Sequence, residues 1–566
     1  MGVGATHTLE RLAASVGMLD GAPVVFQAAL DIPCGGVLFA VPALLAVGLL
    51  RHASRHLSIP RGYYRLDTLL IVLAFLALAR LKTLEAIRYV APGEWGKLVG
   101  MDRIPEVRTM RTKIKVLGQQ GEAERWSAAL CEDWMQASPD NAHVLYVDGH
   151  VRVYHGHQTP LPRHYVARER LALRATTDYW VSAMDGQPFL LLHHPIDPGL
   201  IQVLRNDLLP WLDQHVPQQP TTEQLQDDPQ LHRFTVVFDR EGYSPELFEF
   251  SRRQRIAMLT YHKFPKDPWP EEEFTTQEVT LVSGEIVSMD LAERGTCLEN
   301  LLWVREIRKR SGKGHQTSIL ATDYRSDPTR LAPVMFARWC QENFFKYMRE
   351  QYNLDRLVDY RTMTIPATFQ VVNPEYRRLD GLVHSLAAKL SRKQAEFGSH
   401  LLVDDIEPQR VETYERTKAT LREEVESLAG QVAQMKVRRR ATERYIDVAD
   451  LPDKDQFEPL HPQSKHLVDT IKMIAYRAET AMAHLVVEAG GRSDEARQLL
   501  RAIYTSDVDL LPDEQQGTLT VQLHHLATHC ADRFLSHLCD ELNATETVFP
   551  GTHLRLVYKL VSSQSP

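Results

Sequence analysis

Residues 143–239 read in order as strand, strand, strand, helix, strand, and this succession narrows the fold more than any other feature of the chain. "HVLYVDGHVRVYHG" alternates valine and tyrosine with polar residues and reads as two strands joined at Asp148 and Gly149. "QPFLLLHHPI" is a third strand. "GLIQVLRNDLLPWLDQHV" is a helix that Pro210 should kink or end in its first part. "FTVVFDREGYS" is a short apolar strand ending in Asp239. Such an order describes a mixed sheet with helices on its faces, and it sets both Asp148 and Asp239 at strand ends.

The flanking sequence fits around that sheet. "LDTLLIVLAFLALARLKTLEAIRYV" is too apolar for an exposed helix and lacks alternation, so residues 1–125 are expected to be a helical region built on buried helices. Within it, "RIPEVRTMRTKIK" starts a helix near Pro105 and presents Arg108, Arg111 and Lys115 at spacings of three and four, a face suited to a phosphate backbone or equally to solvent. A first part of the core is assigned to 140–265. "EVTLVSGEIVSMDLA" and "LLWVREIRKRSGKGHQTSILAT" read as hairpins, giving a β-rich insertion over 266–325 that should project from the core. Residues 326–370 carry a helix containing "ARWCQENFFKYMRE" and close the core. Residues 404–566 are read as a helical C-terminal region, in which 411–445 is charged with roughly heptad apolar spacing, as in a coiled-coil arm or a long surface helix.

Composition excludes several classes. With 566 residues and 44% hydrophobic content the chain can bury sizeable cores. Its six cysteines contain no CxxC, which argues against a disulfide framework or thiolate zinc knuckle and for a reducing compartment. The beginning does not read as a signal peptide, and "CGGVLFAVPALLAVGLL" is short and broken by Pro42, so no membrane partner is expected. The net charge of −8 rules out a uniformly cationic coat, yet basic residues cluster locally in "RIPEVRTMRTKIK" and "REIRKRSGKGH". "HHLATHC" near the C-terminus closes no four-ligand zinc pattern, and "SGKGH" is not a phosphate-binding loop.

Three carboxylates carry the chemistry. If their strands are neighbours, Asp148 and Asp239 project from one sheet edge, where two anions repel unless a divalent cation lies between them. Glu342 on a facing helix would complete a site for two Mg²⁺ ions, or Mn²⁺, about 4 Å apart. Arg338, Lys346 and Arg349 lie within helical reach of Glu342 and would neutralise phosphates that the acids repel. Each acid also has an ordinary reading: Asp148-Gly149 as a hairpin turn, Asp239 as a helix cap, and Glu342 as the partner of Arg338 in an ion pair.

Taken together, "VLYVDG", "VVFDREG" and "RWCQENFFKYMR" resemble the three acidic motifs of the DDE transposases of bacterial insertion sequences, in the branch with a β-rich insertion before the glutamate helix. The resemblance spans roughly residues 140–365. The branch's arginine and glutamate fall on Arg338 and Glu342; its tyrosine position holds Met335, and its lysine position holds Arg349. The resemblance implies an α/β fold, an RNase H-like mixed sheet with a β-rich insertion flanked by mainly helical N-terminal and C-terminal regions. It also implies Mg²⁺-dependent hydrolysis at element ends, followed by attack of the freed 3′-hydroxyl on target DNA. Asp148, Asp239 and Glu342 would be the catalytic metal ligands, and Arg338, Lys346 and Arg349 would contact DNA; separately, the basic helical face with Arg108, Arg111 and Lys115 makes residues 1–125 the expected DNA-binding region. Partners would be double-stranded DNA, both element ends and target, bound by a homo-oligomer in the cytoplasm at the nucleoid. A nuclease using the same acids without strand transfer, and an inactive transposase-derived repressor, are the alternatives.

Overall fold

A computed structural model describes residues 4–561 apart from 157–160, 167–168, 170, 195, 266, 282–283, 300–301, 357, 359–360, 363–367, 402–410, 454–456, 458–459 and 527. Contacts divide the chain into two units. One comprises Met1–His155, Arg163–Tyr360 and His461–Pro566; the other comprises Gly156–Pro162 and Arg361–Leu460.

Strand β1 (Ala29–Ile32) precedes the strands of the central sheet, which are β2 (Val144–Val153), β3 (Arg163–Val166), β4 (Leu171–Ser182), β5 (Pro188–His193), β6 (Thr235–Phe238), β7 (Ala257–Tyr261), β8 (Thr275–Thr280), β9 (Ile286–Cys297), β10 (Trp303–Arg310) and β11 (Gln316–Ala321). Their order is β3-β4-β2-β6-β7-β11-β10-β9-β8, with β5 pairing β4 as well. β2, β4 and β5 are antiparallel, whereas β6 runs parallel to β2 and β7 parallel to β6. The TVVF of β6 is wholly buried, as a parallel strand covered on both faces must be. A central mixed sheet flanked by helical N-terminal and C-terminal regions is therefore the architecture.

Three local expectations change. β2 does not turn at Asp148-Gly149: its ladder with β4 runs unbroken from Tyr146↔Ser182 to Val153↔Ala175. Gly149 serves close approach instead, since a Cβ there would lie 3.2 Å from the Tyr179 ring. The hairpins of 270–322 do not stand off from the sheet, because β11 bonds to β7 through Ile319↔Tyr261 and the strands continue outward from it. The last 110 residues contain β14 (Val508–Asp513), β15 (Thr518–Leu523) and β16 (Arg555–Leu560), which form a small sheet in the order β1-β14-β15-β16. In β14 and β15, Val508, Leu510, Leu519, Val521 and Leu523 are buried at alternating positions, the two-residue period of a strand.

The N-terminal helix Leu66–Leu78 is buried from Thr68 onward and packs on the long helix Gln463–Glu488, itself largely buried. One hydrophobic core runs through these helices and the sheet. Each of the buried leucines contributes about 1.5–3 kcal/mol. Among the described residues, no helix is long and apolar enough to cross a membrane.

The second unit is a helical hairpin. Helices Pro374–Leu401 and Val411–Ala441 run antiparallel, as the ion pairs Asp380–Arg439 (2.6 Å) and Lys393–Glu424 (2.9 Å) require. Leu379, Val383, Leu421 and Val432 are buried, and β12 (Gln370–Val372) pairs with β13 (Tyr445–Asp447). The heptad-like segment thus has a partner helix within its own chain.

Candidate active site

The carboxyl ends of parallel strands are the usual ligand position in such sheets. Register sets which residues stand there. Val147 of β2 is aligned with Phe238 of β6, and Phe238 with Thr260 of β7. The next residues, Asp148, Asp239 and Tyr261, therefore stand level on three adjacent strands. Two positions earlier the same face carries Tyr146, Val237 and Leu259, which pack in a core beneath helix Pro328–Phe336. Apolar strand interiors thus give way to polar residues at the carboxyl ends of the strands.

Helix Trp339–Tyr352 crosses this face. Phe344, Phe345, Met348 and Tyr352 are buried, a helical spacing that turns Glu342 and Lys346 outward. Phe345 stacks on His150 with centroids 4.8 Å apart, and Phe344 tilts against Trp180 at 5.3 Å. Buried Gln341 donates through Nε2 to the Trp180 carbonyl at 3.3 Å, and the Tyr146 hydroxyl donates to the Val334 carbonyl at 2.6 Å. The far end of the helix is held by Glu479, fully buried on helix Gln463–Glu488. Its carboxylate accepts from Tyr347 at 3.0 Å, Tyr352 at 2.7 Å and Arg497 at 3.3 Å, and pairs with Arg80.

Arg338, at the N-cap of this helix, connects two of the acids. Its Nη1 donates to Asp148 Oδ2 at 3.3 Å and its Nη2 to Glu342 Oε1 at 3.0 Å. The two carboxylates are thus separated by one guanidinium. The Asp148 side chain is 21% exposed and that of Glu342 62%. Asp148 Oδ1 accepts from the Gly149 N–H at 2.9 Å; Asp239 Oδ1 accepts from the Arg240 N–H at 2.8 Å and caps a short turn, while Ser244 caps the helix Pro245–Arg253. Burial pushes the Asp148 carboxyl up to about 7; the Arg338 guanidinium opposes that rise and the charge of Asp239 adds to it.

Of the other cations, Lys346 is exposed and Arg349 half-buried. Arg108, Arg111 and Lys115 lie on the exposed face of helix Val107–Gln119, where Arg111 pairs with Glu85.

Among the described residues, ligand-type atoms lie within 4.8 Å of one another, a spacing that could hold a divalent ion, in two groups, neither of them Asp148, Asp239 and Glu342: Asp31, Asp509 and His524 on the small sheet, and buried Asp178, His193 and Asp469. The sequence analysis singled out neither. In the buried group, Arg152 pairs with Asp178 and, at 3.3 Å, with Asp469; Lys465 also pairs with Asp469. Two cations already balance two carboxylates there, so a buried dication would be left uncompensated.

A family model described as "Transposase protein" matches residues 2–562. Among curated proteins none matches the chain. The match spans nearly the whole chain, sheet and flanking helices alike, and the protein belongs to this transposase family.

Proposed function

We propose that the protein is a metal-dependent DDE transposase that cleaves element ends and joins them to target DNA, with Asp148, Asp239 and Glu342 as the metal ligands. One observation carries the reading: Asp148 and Asp239 stand level on neighbouring parallel strands while Arg338 reaches both Asp148 and Glu342. The RNase H-like interpretation is supported by the antiparallel strands β2, β4 and β5, with the short β3 added against β4, followed by two strands that run parallel to the first.

The three acids would fit a divalent cation once Arg338 leaves its place between Asp148 and Glu342. A guanidinium already lies between two of the acids, and burial first, with the charge of Asp239 adding to it, raises the proton affinity of Asp148, a cost that a hard cation offsets. Bound there, Mg²⁺ or Mn²⁺ would supply an activated oxygen nucleophile and neutralise charge at the scissile phosphate. Asp148 and Asp239 hold the position from the rigid sheet, and Glu342 closes it from the helix. Arg338, released from its acids, joins Lys346 and Arg349 in binding phosphate oxygens. Arg108, Arg111 and Lys115 contact the DNA backbone from the N-terminal helices, and a homo-oligomer would bring the two ends together.

Glu342→Gln tests this reading, because it keeps size but loses the anionic ligand. On a duplex carrying the DNA that flanks this chain's own coding sequence, affinity without divalent ion should stay within about twofold, while 3′-end cleavage with Mg²⁺ falls by about 10³-fold or more. Equal cleavage by the glutamine variant and the wild type would refute the metal site. Joining of pre-cleaved ends to a plasmid separates transposase from nuclease.

A further inference from the structure

Tyr261, at the end of β7, stands level with Asp148 and Asp239 in the row at the carboxyl ends of the parallel strands. Its ring packs against the core of Val237, Leu259, Ile319 and Met335, which fixes its position. The charged groups around it are Arg338, Asp239, Glu342 and Arg240, the last with its guanidinium 5.9 Å from the ring centroid. Tyr146, on the same face, donates its hydroxyl to a carbonyl at 2.6 Å, whereas the Tyr261 hydroxyl has no hydrogen-bond partner among the described residues. A hydroxyl that a packed, half-buried ring holds open to solvent is a donor that a ligand can take over from water. Arg338 and Arg240 offset the repulsion that Asp239 and Glu342 would exert on an anion here, and the anion of matching chemistry is a phosphodiester with free non-bridging oxygens.

We propose that Tyr261 is a further residue of this site, its hydroxyl donating a hydrogen bond to a non-bridging oxygen of the scissile DNA phosphate. This rests on the metal-dependent reading of Asp148, Asp239 and Glu342. The packed ring gives the phosphate a donor whose orientation is set before DNA arrives, while the flanking arginines supply charge.

The test is Tyr261→Phe in the full chain, which keeps the ring and removes only the hydroxyl. On the same flanking-DNA duplex, single-turnover 3′-end cleavage with Mg²⁺ should fall about 10- to 100-fold. Affinity without divalent ion should stay within about twofold, and the melting temperature should not change. Cleavage at the wild-type rate overturns the proposal, as does a lowered melting temperature that accounts for the loss, or an affinity loss equal to the rate loss. Glu342→Gln measured beside it keeps the two ideas apart. If that variant cleaves like wild type, the metal reading fails whatever Tyr261→Phe does; if only Tyr261→Phe cleaves like wild type, this inference alone fails.

Discussion

Replacing Glu479 by alanine removes the one acceptor shared by Arg80, Arg497, Tyr347 and Tyr352. The Arg80 side chain is 5% exposed and that of Glu479 0%, so little solvent reaches the cation left behind. Removing one partner of such a buried pair costs about 3–5 kcal/mol, most of it the penalty of an uncompensated charge rather than the net worth of the pair. That is a large fraction of a total stability of about 5–15 kcal/mol. The same reasoning sets a second expectation: Glu479→Leu combined with Arg80→Met should recover part of the loss, because the Arg80–Glu479 pair is gone while Arg497 is left without its carboxylate. Urea unfolding followed by tryptophan fluorescence measures both. Because Tyr347 and Tyr352 anchor the helix that carries Glu342, Glu479→Ala should also slow any Mg²⁺-dependent cleavage under conditions where the protein remains folded. A cost below about 1 kcal/mol for the alanine variant, or a double variant no better than the single one, would refute the account of this contact.

Acid should weaken the hairpin strands through Glu306. Burial pushes its carboxyl up, but hydrogen bonds from His262, Thr296, Ser318 and Arg308 outweigh this and hold it at about 2. The folded value lies below the unfolded one, so the stabilisation, up to about 3 kcal/mol, is complete above about pH 4.5 and is lost as pH falls through 2. Glu306→Gln should flatten the dependence of the urea midpoint between pH 5 and pH 3, and an unchanged slope would contradict the assignment. Neutralising Arg108 and Lys115 together should make the slope of log affinity against log salt less negative by about 2. Arg111→Ala should do less, since Glu85 already engages that side chain; binding titrations from 50 to 200 mM salt decide. Point substitutions are the right tool, because deleting residues 1–125 would remove helices that share the core with the sheet.

Elements whose partners are near in sequence were legible. The hairpins β8–β9 and β10–β11 show apolar runs around short polar turns, and Ser244-Pro245 marks the start of a helix that the structure caps there. The 338/342 spacing likewise implies the observed Arg338–Glu342 pair. β4 was missed because "LALRATTDYWVS" carries Arg174, Thr176, Thr177 and Asp178 in its middle, which reads as a loop. Asp178 is tolerated inside only because Arg152 and His193 surround it, partners that no local pattern announces. Splitting β2 at Gly149 offset that omission in number, but the short β3 (Arg163–Val166) was unread too, so three strands were expected where four are found. The contact of Arg338 with Asp148, 190 residues away in sequence, was beyond local reading for the same reason.

The place of helix Gln463–Glu488 in the core has a consequence for synthesis. Its residues are translated about 400 positions after Leu66–Leu78, the helix it covers. At about 5–20 residues per second, those apolar side chains emerge from the ribosome about 20–80 s before their permanent partner exists. Hydrophobic collapse takes microseconds, so the nascent chain has ample time to bury them wrongly. Production of this protein should therefore depend on a chaperone that shields the first helices until translation has passed residue 488, and messages truncated before that point should yield protein that is degraded rather than a smaller folded form.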